Sequence, residues 1–138
     1  QTSDLIYFAN ELVLSHKPSK IFIYEGDNDL AEGKSVDIVL ADMKTLFHVI
    51  RRQLPDTPIY LISPKPSPAR LALRPKYEEL NYLLSYLCPE RDITFINLWD
   101  EMIDEFGDVK EDLFIEDGLH MNQDGYKIMA QAIVSHLN

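Results

Sequence analysis

Three short apolar runs limit what this chain can fold into: IFIYE at 21–25, IYLIS at 59–63 and ITFINL at 93–98. Each is too short for a typical helix, and the first two are bounded by proline or glycine. None alternates cleanly between polar and apolar residues. Runs of that kind suit strands buried on both faces, as in a parallel sheet covered by helices. The segments between them carry helical periodicity. Val36, Val39, Leu40, Met43, Leu46, Phe47 and Ile50 mark one helix with Ser35 as its cap; Tyr77, Leu80, Leu83, Leu84 and Leu87 mark another. Tyr126, Met129, Ala130, Ile133, Val134 and Leu137 mark a closing helix capped by Asn122. Before the first strand, Leu5, Ile6, Ala9, Leu12 and Val13 read as a helix capped by Ser3. The expected class is α/β, a parallel sheet between two helical layers. EGDNDLAEGKS is expected as a loop, PKPSPARLALRP as an exposed, stiff connection, and Glu101 to Phe106 as a short helix.

A sheet of this type binds ligands beyond the carboxyl ends of its strands, so the segments opening at Gly26, Ser63 and Leu98 should share one rim. The 138 residues, 46% hydrophobic and 26% charged, suit one domain with one core. A formal charge of −10 repels nucleic-acid phosphates and anionic lipid, and no apolar run approaches a membrane span. The single cysteine, Cys88, excludes an internal disulfide and a thiolate metal cluster, and its apolar helical setting suits a buried, inert thiol. QTSDLIYFAN lacks the basic start of a signal peptide; any export signal would precede Gln1, which leaves the compartment open.

Two clusters could carry chemistry. Asn28 follows Gly26 at the end of the first apolar run, flanked by Asp27 and Asp29. Gly26 lets the chain leave the strand in a conformation other residues resist, and the Asn28 amide could donate to a developing oxyanion while its carbonyl or Asp29 ties the segment down. A simple polar turn has the same composition. In EDGLHMNQDGY, Asp117 and His120 are three residues apart, ahead of the closing helix. A carboxylate there can fix the tautomer of an imidazole base and stabilise its charged form; a surface Asp-His contact is the plain alternative. His16, His48 and His136 fall on or beside amphipathic helices and read as solvated. Ser63 and Ser67 lie near the rim but read as turn and loop residues.

The order of these features along the chain resembles the SGNH or GDSL hydrolase family. Gly26-Asp27-Asn28-Asp29 is similar to that family's third block and Asp117-Gly118-Leu119-His120 to its fifth, and the resemblance extends over essentially the whole chain, including KPSPAR. It implies a flavodoxin-like three-layer α/β/α sheet of order 2-1-3-4-5, with Asn28 in the oxyanion hole and Asp117 and His120 in a Ser-Asp-His triad. The family's Gly-Asp-Ser block, and the later block whose glycine also serves the oxyanion, do not occur in these 138 residues. QTSDLIYFAN then looks like the helix following the second block, and the strands seen here are strands three to five of five. The nucleophile is therefore expected upstream of Gln1, with the chain as the C-terminal part of a single domain. The edge of the first strand would be left to the missing N-terminal segment or another chain.

The activity implied is a serine esterase acting on small acyl esters, carbohydrate O-acetyl groups among them. Gly26 would shape the substrate side and Trp99 line it, or Trp99 would simply pack. No metal or organic cofactor is expected, and the chain by itself is expected to be inactive. The alternative from another class is a non-catalytic flavodoxin-like binding or regulatory module, such as a receiver domain holding magnesium on strand-end carboxylates. That reading gives His120 no role, and WDEM after ITFINL supplies no lysine.

Overall fold

The computed structural model describes residues 19–137. The expected helix around Leu5 to Val13, its Ser3 cap and His16 lie outside these residues. Three parallel strands, β1 (Ile21–Ile23), β2 (Ile59–Ile62) and β3 (Thr94–Ile96), lie side by side in chain order. The helices are α1 (Asp27–Ala31), α2 (Val36–Gln53), α3 (Arg74–Glu90), α4 (Leu98–Glu101) and α5 (Gln123–Ser135). Among the described residues the sheet ends at β1 on one side and β3 on the other.

Alternation along the strands builds the layers. Ile21, Ile23, Ile59 and Leu61 face a core filled from α2 and α3 by Val39, Met43, Leu46, Phe47, Leu80 and Leu84. Tyr60, Ile62 and Ile96 face the opposite core, where Leu113, Phe114 and Met121 are joined by Ile128, Met129 and Ile133 of α5. Each fully buried Leu or Phe contributes about 1.5–3 kcal/mol by leaving water, so the α2–α3 face holds most of the hydrophobic stabilisation. Phe22, directly opposite Tyr60 in register, stacks on it at 4.8 Å between ring centroids. The expected caps form: Ser35 Oγ accepts from Ile38 N at 3.2 Å, and Asn122 Oδ1 accepts from Gly125 N at 3.0 Å. Among the described residues no helix is long and apolar enough to cross a membrane.

Several expectations need correction. The strands are shorter than the apolar runs; β1 ends at Ile23 and Leu98 begins α4. The segment after Gly26 is not an open loop: Asp27–Ala31 coils into α1, where two aspartates in the first turn complement the helix's positive end. Asp29 within it is fully buried, with Lys34 Nζ at 3.7 Å from its carboxylate. The proline-rich connection is exposed only in its second half, at Ala69, Leu71, Ala72 and Pro75. Residues 64–67 are buried and Pro68–Leu73 form a 3₁₀ helix. Proline has no N–H to satisfy, so such a segment enters the interior at a lower hydrogen-bonding cost than an ordinary loop. The short helix after β3 is Leu98–Glu101 rather than Glu101 to Phe106, because Asn97 caps it by accepting from Asp100 N at 3.1 Å.

Candidate active site

A cleft of about 470 Å³ opens beyond the carboxyl end of β1, with Gly26, Asn28, Lys65, Arg70, His120 and Tyr126 among the residues lining it. Ordinary local chemistry delivers each group. Gly26 sits at φ +104°, a conformation that suits glycine, and a Cβ there would also meet Met43 Cε at 3.3 Å and Leu80 Cδ2 at 3.4 Å. The turn opens α1, whose Asn28 is exposed at the cleft, while Leu30 N donates back to Gly26 O at 3.2 Å.

The second wall comes from the segment before α5. Gly118, at φ +64°, brings its backbone against Pro68 and Ala69, and Ala69 N donates to Gly118 O at 3.0 Å. The proline-rich segment therefore joins the two halves of the cleft where it leaves the interior, at Pro68 and Ala69. Within the turn, Asp117 Oδ1 accepts from Leu119 N and His120 N, both at 2.9 Å, and Asp117 Oδ2 lies 2.5 Å from His120 Nδ1. The hydrogen bond from His120, together with the two backbone N–H groups, lowers the Asp117 carboxyl to a pKa of about 2. With Nδ1 committed to Asp117, Nε2 is the imidazole nitrogen left for a reacting group.

Beneath Asn28 lies a network that the sequence did not single out. Asp27 accepts from Lys65 Nζ at 3.1 Å, from Arg70 Nη1 at 2.5 Å and from the Tyr77 hydroxyl at 2.8 Å. Arg70 Nη2 donates to Asn28 Oδ1 at 3.3 Å. Burial of the Tyr77 phenol, reinforced by its hydrogen bond to Asp27, raises its pKa and keeps it protonated. Burial alone would lower the Arg70 pKa, but the Asp27 charge and hydrogen bond outweigh that and raise it. The available signal was the run of cations, Lys65, Arg70 and Arg74, inside the proline-rich stretch of an acidic chain.

Asn28, Gly26 and His120 thus line one cleft, with Asp117 behind the imidazole. Trp99 does not join them. It is 6% exposed, packed in the α2–α3 core with its ring 6.3 Å from that of Tyr77, because α4 turns it inward immediately after β3. Ser63 is fully buried, and its Oγ accepts from Leu98 N at 2.9 Å and Trp99 N at 3.1 Å. Ser67 is also buried and does not line the cleft. His48 and His136 are exposed.

A sequence model of the GDSL-like lipase/acylhydrolase family matches residues 2–128. A search of curated proteins finds no match. Among solved structures, a lipase/acylhydrolase from Enterococcus faecalis is 24% identical, with a TM-score of 0.80 over 99% of this chain and 70% of that one. A GDSL-like lipase from Bacteroides thetaiotaomicron is 23% identical, with a TM-score of 0.83 over 98% of this chain and 70% of that one. An acetylxylan esterase from Geobacillus stearothermophilus is 16% identical, with a TM-score of 0.83 over 98% of this chain and 66% of that one. These likenesses show a shared fold. The strand order and the extent of the family match over most of the sequence lead to one conclusion: the chain belongs to the GDSL-like lipase/acylhydrolase family.

Proposed function

We propose that this chain is the C-terminal part of a serine carboxylic ester hydrolase domain whose nucleophile lies upstream of Gln1. The observation carrying this reading is the opening of the Asn28 amide and the Asp117-paired His120 imidazole into a single cleft. In the reaction, the serine Oγ attacks the acyl carbon and gives its proton to His120 Nε2. Asp117 holds the tautomer and faces the imidazolium, and Asn28 Nδ2 donates to the tetrahedral oxyanion. The imidazolium then protonates the leaving alkoxide oxygen, and a water deprotonated by His120 hydrolyses the acyl-enzyme. The substrate class is small acyl esters, with carbohydrate O-acetyl groups favoured by the likeness to an acetylxylan esterase and by a cleft with both polar and aromatic walls. No metal or organic cofactor enters these steps.

The purified 138-residue chain is expected to show negligible hydrolysis of p-nitrophenyl acetate. Turnover abolished by His120→Ala would refute the upstream nucleophile and direct the search to a serine of this chain. In the intact protein, Asn28→Ala should lower kcat by about 10²–10³-fold, the usual loss for one oxyanion donor. An unchanged kcat would remove Asn28 from the mechanism.

A further inference from the structure

We propose that Arg70 is a positioning residue that sets the Asn28 amide for oxyanion binding, an inference resting on Asn28 being the oxyanion donor. A guanidinium carries donors and no acceptor, so the Asn28 atom facing Arg70 Nη2 at 3.3 Å has to be Oδ1. That contact fixes which way the amide is turned and leaves Nδ2 available; among the described residues no side chain or backbone oxygen accepts from it. Left alone, an exposed Asn amide rotates broadly about its last torsion. Arg70 is itself restrained, because Asp27 binds its Nη1 while Lys65 and Tyr77 hold Asp27. The side chains of this network are mostly withdrawn from water, at 18% exposure for Arg70, 13% for Asp27 and 10% for Lys65. An anchored cation thus aims an exposed amide. Its charge on the amide carbonyl also makes the N–H groups stronger donors.

The test is a double-mutant cycle in the intact protein, combining Arg70→Met with Asn28→Ala and following kcat and KM for p-nitrophenyl acetate alongside melting temperature. Arg70→Met keeps the aliphatic stem and removes the donors. It should lower kcat about tenfold with KM nearly constant, and in the Asn28→Ala background its effect on kcat should shrink to about twofold or less. Arg70→Lys, which can engage Asp27 or Asn28 but not both, should fall between wild type and Arg70→Met, and it carries the same cycle if Arg70→Met fails to fold. Equal kcat losses in both backgrounds, or a raised KM with kcat retained, would overturn the positioning role alone. No effect of Asn28→Ala itself would overturn the oxyanion assignment and this role together.

Discussion

Replacing Asp117 by Asn tests the proposed base at the atom that matters. In the wild type, Asp117 Oδ1 takes two backbone N–H groups and Oδ2 faces His120 Nδ1. An asparagine has one oxygen for these two tasks. If its oxygen keeps Leu119 N and His120 N, its NH₂ faces Nδ1, which must then be unprotonated; the proton moves to Nε2 and the imidazole can no longer accept from serine. If the amide flips to serve Nδ1, its NH₂ opposes two backbone donors. Each backbone hydrogen bond lost is worth roughly a factor of five in population, so the competent orientation falls to about 4%. Loss of the carboxylate opposite the forming imidazolium adds to this. The same substitution in serine-protease triads costs about 10⁴ in kcat. Here the His120 side chain is 68% exposed, so solvent screens the charge and the smaller total of roughly 10²–10³ is expected. The assay is kcat for p-nitrophenyl acetate in the intact protein, with the His120 tautomer read from ¹⁵N shifts. Retention of kcat within tenfold, or an Nδ1–H tautomer in the variant, would refute the reasoning. The carboxyl's pKa of about 2 lies below its ordinary value, so its contribution to stability is complete above about pH 4 and is lost as pH falls towards 2; Asp117→Asn removes that acid limb.

Other expectations bear on the frame that holds the site. Ser63→Ala should cost about 2–4 kcal/mol, because it strands two buried backbone donors, and should leave kcat of the folded intact protein unchanged; a large kcat loss at constant melting temperature would contradict its structural role. Gly125→Ala places a Cβ 2.5 Å from Leu113 O and 2.8 Å from Met121 Cβ. The overpacking cost of about 1–3 kcal/mol should exceed the roughly 1 kcal/mol helix gain from alanine, so a higher melting temperature would count against this packing. Burial pushes the Cys88 thiol up to about 12, so a disulfide reagent at pH 8 should label it only after unfolding. Labelling of the native chain at the rate of a free thiol would show otherwise.

The strands, the two long helices and the closing helix were legible because their signals are local. Three apolar runs, helical spacing from Val36 to Ile50 and from Tyr77 to Leu87, and caps at Ser35 and Asn122 all reflect contacts within a few residues. The Asp117–His120 pair was legible for the same reason: one turn closes it. Groups held by distant partners were harder to read. Asp27 is held by Lys65, Arg70 and Tyr77, and of the two readings open for Trp99, lining the site or packing, α4 enforces packing by turning it inward.

An acidic α/β chain with parallel-sheet strands, a glycine-led amide after the first strand and a carboxylate-paired imidazole before the last helix could be read from the residues in order. That these two groups face one cleft, and that the proline-rich segment bridges them through Ala69 and Gly118, came from the packing of separate elements. That packing alone revealed Arg70 joining Asp27 to Asn28, 42 positions away along the chain. Periodicity and capping come from neighbours in sequence, whereas the side of a cleft, the burial of a loop and the partner of a cation depend on how separate elements pack.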